Sequence, residues 1–264
     1  MAMAEETRDL VLGNLSWPEM DRIRDGVELV LQPVGSNEQH GPNLALCMDI
    51  ASSFEFCRRV SERLFPRVLV APPVPWGVSF HHMNFPGTIT LANETFVQVL
   101  VEVVESLKQH GFERFLIVNG HGGNIPALGV ATVRIREEVG PAFIGAGSYF
   151  HFMDRAIHQR FGATAYTGHA CEAETARAME LIPQHVKRDA LAPGELTDLT
   201  YGFRKTLQRY NVTVPYRFDE LTRNGALGDA TIATPEYGKA LVDSALDSFT
   251  AFVDELVANS PVAA

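Results

Sequence analysis

Four short apolar runs, each followed by a polar segment that contains glycine, constrain this chain more than any other feature. They are Val27–Leu31 before Gly35-Ser36-Asn37-Glu38, Val68–Val70 before Pro75-Trp76-Gly77, Phe115–Val118 before Asn119-Gly120-His121, and Ala142–Ile144 before Gly145-Ala146-Gly147-Ser148. Runs this short, bounded by turn formers, read as buried strands. Helix-length segments lie between them at Asp49–Leu64, Asn93–His110 and Ile125–Val139. In the second of these Phe96, Val97, Leu100, Val101, Val104 and Leu107 fall at near-helical spacing, with Asn93 or Thr95 available as a cap. Repetition of strand, polar segment and helix predicts a mainly parallel sheet covered by helices on both sides, a three-layer α/β/α fold. Such sheets place ligands beyond the carboxyl ends of their strands.

The chemistry-bearing residues fall at those ends. Glu38-Gln39-His40-Gly41-Pro42 follows the first run, and Asp49 lies nine residues past His40. Two carboxylates and an imidazole are candidate ligands for a borderline-hard metal ion. On an extended backbone Glu38 and His40 point the same way. Asp49 opens a predicted helix, where capping is its ordinary role. His121 sits in the turn Asn119-Gly-His-Gly-Gly-Asn124, which lacks the lysine and hydroxyl ending of a phosphate loop. No G-x-S-x-G elbow occurs, which argues against a serine hydrolase.

A third group is Gly168-His169-Ala-Cys171-Glu172-Ala-Glu174-Thr175. If a helix starts near residue 169, His169 and Glu172 share a face and Glu174 lies about 200° round from Glu172. That assigns Glu172 to the metal and Glu174 to a supporting role beside the catalytic group. Two solvated helix glutamates are the plain alternative. A Cys171 nucleophile beside His169 is disfavoured, because residues two apart on a helix diverge. Adjacent His81 and His82 diverge too, so at most one should face a site. His110, His151, His158 and His185 lack such context and read as surface or packing residues.

The chain has 264 residues, 46% hydrophobic, with a formal net charge of −10. That size supports a full core in one domain spanning 1–264. The negative charge disfavours nucleic acid, and no apolar run approaches the roughly 18 residues that span a bilayer. Three scattered cysteines and an N-terminus without a basic and long apolar region point to a soluble cytoplasmic protein. Residues 195–220, rich in aromatic and charged side chains, read as a lid, a subunit contact or a surface excursion. Pro235–Ala258 reads as an amphipathic helix after turns at 224–229.

Taken together, these segments resemble the creatininase family of metal-dependent amidohydrolases. The resemblance rests on Gly35-Ser36-x-Glu38-Gln39-His40-Gly41-Pro42…Asp49, His82-x-x-Phe85-Pro86-Gly87-Thr88, Asn119-Gly-His-Gly-Gly-Asn124 and Gly168-His-Ala-x-Glu172-x-Glu174-Thr175, with a weaker echo at Gly228–Glu236. It implies two divalent metal ions per subunit (zinc, manganese or iron(II)), commonly a homohexamer, and a small-molecule substrate. Glu38 and His121 would hold one metal, His40 and Glu172 the other, with Asp49 bridging both. His169 matches the catalytic histidine, and Ser79, His82, Gly122 and Gly123 are candidates for touching the substrate. The implied reaction is hydrolysis of a C–N bond in a small cyclic amide, lactam or formamide. Creatininase proper follows the histidine of its third motif with a tyrosine and a metal-binding glutamate, where this chain has Gly122 and Gly123. Its later tryptophans are also missing here, so creatinine is not the expected substrate. The Gly-Gly form occurs in relatives acting on formamides, peptides or cyclic polyol ketones, which leaves ring opening at a C–C bond as an alternative. A non-catalytic binding or assembly protein is a further alternative, which would predict missing ligands.

Overall fold

The computed structural model describes residues 10–164, 168–197 and 214–260. Five parallel strands, β1 (Leu10–Val11), β2 (Leu29–Val34), β3 (Val68–Val70), β4 (Arg114–Asn119) and β5 (Phe143–Ser148), form one sheet in the order β1-β3-β2-β4-β5. The helices are α1 (Trp17–Ile23), α2 (Met48–Arg63), α3 (Asn93–Gln109), α4 (Ile125–Glu138), α5 (Arg155–Arg160), α6 (Glu172–Leu181), α7 (Phe218–Leu221) and α8 (Pro235–Asn259). The predicted strands and long helices are all present, with ends shifted by a few residues.

Side-chain alternation along the strands builds the three layers. Leu29 and Leu31 of β2 and Leu116 and Val118 of β4 pack with Phe56 and Val60 of α2, Ala176 of α6 and Phe249 and Val253 of α8. Val30, Phe115 and Ile117 point the other way, onto Phe96, Leu100 and Val104 of α3 and Leu128, Ala131 and Ile135 of α4. The inner strands β2, β3 and β4 bury both faces, which is why their runs are continuously apolar rather than alternating.

Helix starts depart from expectation in two places. Neither Asn93 nor Thr95 caps α3; the residue before the helix is Ala92, and no side chain bonds there. The helix after His169 begins only at Glu172. His169 instead forms an antiparallel bridge with Leu227, with N–H···O distances of 3.2 and 2.8 Å. At the far end, Thr234 Oγ1 accepts the Tyr237 N–H at 3.1 Å and starts α8.

The ends of β2 and β4 press against the first turn of α2. A Cβ at Gly35 would lie 2.5 Å from the Ile50 nitrogen, and one at Gly120 would lie 2.2 Å from the Asp49 carbonyl oxygen. Only glycine admits this approach, and it sets Asp49 beside the segments that carry Glu38 and His121. Among the described residues, no helix is long and apolar enough to cross a membrane.

Candidate metal centre

Three loops at the carboxyl edge of the sheet supply the site. Residues 35–49 follow β2, residues 120–124 follow β4, and residues 168–171 lead into α6. Glu38, His40, Asp49, His121 and His169 are all buried there. A bare carboxylate in such a place is costly unless a cation faces it.

The imidazoles reveal what kind of cation is fitted. A carbonyl oxygen only accepts, so the ring nitrogen facing one carries the proton. His40 Nδ1 donates to the Glu38 carbonyl at 3.2 Å, His121 Nε2 to the Val78 carbonyl at 3.1 Å, and His169 Nε2 to the Gln39 carbonyl at 2.7 Å. Each ring therefore turns its second nitrogen inward, toward carboxylates. His40 Nε2 stands 3.3 Å from Asp49 Oδ1, and His121 Nδ1 stands 3.0 Å from Asp49 Oδ2 and 3.1 Å from Glu38 Oε1. His169 Nδ1 lies 4.0 Å from both Glu38 Oε1 and Glu174 Oε2. Yet among the described residues His40 Nε2 and Asp49 Oδ2 have no hydrogen bond of good geometry. Lone pairs converging in this way suit a metal ion, and histidines anchored through their other nitrogen are the usual ligands.

Ligand atoms of Glu38, His40 and Asp49 lie within 4.8 Å of one another, as do those of His40, His169 and Glu174. The same holds for Glu38 with His81 and His121, and for Glu38 with His82 and His169. The protons respond accordingly. Burial pulls His40 down, but the Asp49 carboxylate outweighs it and raises the imidazole to about 9. Burial would raise Asp49, and His40 and His121 hold it well below the usual carboxylate range instead. Burial also opposes the charge on His121, and Glu38 and Asp49 lift it well above its ordinary value. His169 is lowered, by burial and then by His40 beside it.

The two helix carboxylates are placed opposite to the assignment made from spacing. Glu172 accepts the Thr164 N–H at 2.5 Å, the Thr164 hydroxyl at 2.9 Å and the Asp229 N–H at 2.8 Å. Glu174 is the one beside His40 and His169, its Oε2 accepting the Ala170 N–H at 2.5 Å. Because α6 starts at 172, His169 is not on the helix, and the shared face expected of His169 and Glu172 does not form.

Ser79 is fully buried and donates to Glu38 Oε2 at 2.7 Å, so it orients a carboxylate instead of facing a substrate. Gln39 donates to His82 Nδ1 at 2.8 Å, which leaves the His82 proton on Nε2, 3.3 Å from Glu38 Oε1. Burial, with His169 next in weight, keeps His82 neutral. Both His81 and His82 line the cavity, contrary to the expectation for neighbours, because they sit on a tight turn over Phe80–His82. His81 too is held low, at about 4, mainly by burial. Gly122, Gly123 and Cys171 also line it; burial raises the Cys171 thiol, which disfavours the thiolate that a nucleophile needs.

The cavity holds about 640 Å³. Three of its residues carried no signal in the sequence pattern: His158, Arg177 and Phe218. Phe218 stacks on His82 with centroids 4.0 Å apart and meets the edge of His169 at 4.7 Å. It belongs to the 195–220 segment, of which residues 198–213 lie outside the described residues.

Comparison with known proteins places this geometry among relatives. The family model described as creatininase, creatinine amidohydrolase, matches residues 13–253. A mycofactocin precursor peptide peptidase of Mycobacterium ulcerans is 31% identical over 245 residues, 90% of this chain and 89% of that protein. A 3-dehydro-scyllo-inosose hydrolase of Thermotoga maritima is 26% identical, over 92% of this chain and 83% of its own. In fold, a putative creatinine amidohydrolase from Bacteroides fragilis superposes with a TM-score of 0.83 at 22% identity, over 98% of this chain and 100% of the other.

Proposed function

Because the chain belongs to the creatininase family, we propose that it is a metal-dependent hydrolase of C–N bonds in small amides, lactams or formamides. The observation that carries this reading is that the inward nitrogens of His40 and His121 stand 3.3 and 3.0 Å from the two oxygens of the buried Asp49 carboxylate, with the Glu38 carboxylate beside them. Glu38 and His121 would hold one divalent cation and His40 and Glu174 the other. Asp49, with one oxygen toward each imidazole, would lie between them. Zinc, manganese or iron(II) suits this donor set. When bound, such a pair supplies charge for the oxygen that gains electrons and makes a water acidic near neutral pH.

The protein's own groups do the remaining work. Ser79 and His82 fix the two oxygens of Glu38 from behind. Ser36 in turn donates to Ser79 at 2.6 Å, since the Ser79 proton is spent on Glu38. His169, anchored through Nε2–H and kept neutral, presents Nδ1 as a base. It takes a proton from the attacking water and returns it to the departing nitrogen. The water oxygen ends on the acyl carbon, and the electron pair of the broken bond stays on nitrogen. A homohexamer in the cytoplasm, with 1–264 as one catalytic domain, is the setting that goes with this reading.

Metal content per subunit by elemental mass spectrometry tests it, with Asp49→Ala as control. About two metals per chain, lost together with lactam or formamide hydrolysis in the control, is the expected result. A protein that takes up no zinc or manganese is a binding or assembly protein instead. Turnover of a cyclic polyol ketone in place of any amide would assign the same residues to ring opening at carbon.

A further inference from the structure

The cavity has a second chemical pole that the hydrolytic scheme leaves unused. Arg177, one turn past Glu174 on α6, lines the cavity although it is only 7% exposed. Its Nη2 donates to Glu174 Oε1 at 3.3 Å. The guanidinium lies over the rings of Tyr149 and Phe150, 5.8 and 5.5 Å from their centroids. Among the described residues its Nε has no hydrogen-bond partner. Guanidinium carries five N–H donors in a planar fork matched to a carboxylate. Glu174 and the Tyr149 hydroxyl meet part of this fork, and the orphaned Nε still calls for an acceptor, because unmet donors in the interior are rare and costly. His158 lines the same cavity within Coulombic range of Arg177, with its Nδ1 on the Tyr237 hydroxyl at 2.6 Å.

We propose that Arg177 binds a carboxylate of the substrate, with His158 beside it, while Glu38, Asp49 and His169 face the scissile bond from the other pole. Arg177 touches Glu174 directly, so the carboxylate it takes lies about one side chain from the reacting carbon. That narrows the substrate to small amides with a nearby free acid: an N-acylamino acid, a lactam acid, or the last residue of a short peptide. The scissile bond in this statement rests on the hydrolase reading; the carboxylate site rests on Arg177 alone. A guanidinium present only to hold Glu174 would show no preference for acids.

The test compares matched pairs of ligands on the metal-loaded full-length protein by calorimetry. The pairs are 5-oxoproline against 2-pyrrolidinone and N-formylglycine against N-methylformamide, with glycylglycine against its amide as the peptide arm. A charge-assisted bidentate contact predicts that the acid binds roughly ten- to hundred-fold tighter than its neutral partner. Arg177→Gln should bring the acid-to-neutral affinity ratio close to one, and Arg177→Lys should keep part of the preference. Equal binding of both members by the wild-type protein overturns the proposal without any variant. So does a preference that survives in a folded Arg177→Gln protein, since the acid would then be held elsewhere. Amine release is followed separately: a retained acid preference with no hydrolysis would overturn the hydrolase reading and leave this site standing.

Discussion

Metal uptake by this site should expel protons, and the amount can be worked out from His40. In the metal-free protein the Asp49 carboxylate, 3.3 Å away, overcomes burial and holds the imidazole protonated up to about pH 9. A metal ion needs the same Nε2 lone pair. Near pH 7, two units below that value, removing the proton costs about 2.7 kcal/mol, or about a hundredfold in affinity. His121 is raised for the same kind of reason and adds a second proton. Apparent affinity should therefore climb about tenfold per pH unit for each imidazole until the pH passes its folded-state value. The assay is calorimetric titration of zinc into chelator-treated protein, in several buffers of different ionisation enthalpy near pH 7. The slope of observed heat against buffer enthalpy counts the protons released, with about two expected. A slope of zero in the wild-type protein would mean that the imidazoles are neutral before uptake or are not ligands.

Three further outcomes follow from particular contacts. Glu174→Gln should lower the metal content, whereas Glu172→Gln should keep it, because only Glu174 lies beside His40 and His169; elemental analysis of both variants decides between them. The metal-free protein should lose stability as pH rises, since a His40 value raised from 6.5 to about 9 stabilises fully below 6.5 and no longer above 9. That amounts to about 3 kcal/mol, read from denaturant midpoints across this window. Gly238→Ala should lower the melting temperature by roughly 3–10 °C, because a Cβ there would lie 1.9 Å from the Ala176 carbonyl oxygen where α8 crosses α6.

The strands, the long helices and the loops that carry the candidate ligands were legible in the sequence. Apolar runs of three to five residues, alternating with helix-length segments and followed by turn formers, read as buried parallel strands that need helices on both faces. The motifs after β2 and β4 meet because the fold sets these two strands side by side, an order that the sequence pattern does not contain. Within an element, periodicity tells which residues share a face, and it was reliable wherever the element's start was clear. The start of α6 was not clear. A three-residue difference, set by the bridge between His169 and Leu227, exchanged the positions of Glu172 and Glu174. Tertiary packing also moved Ser79 behind Glu38, brought His81 and His82 to one wall, and added His158, Arg177 and Phe218 from segments far along the chain. The reason is physical: local pattern records which side of an element is apolar, but a pocket is made where several elements end. Which polar side chain reaches that space depends on distances between elements, and only the packed core fixes those.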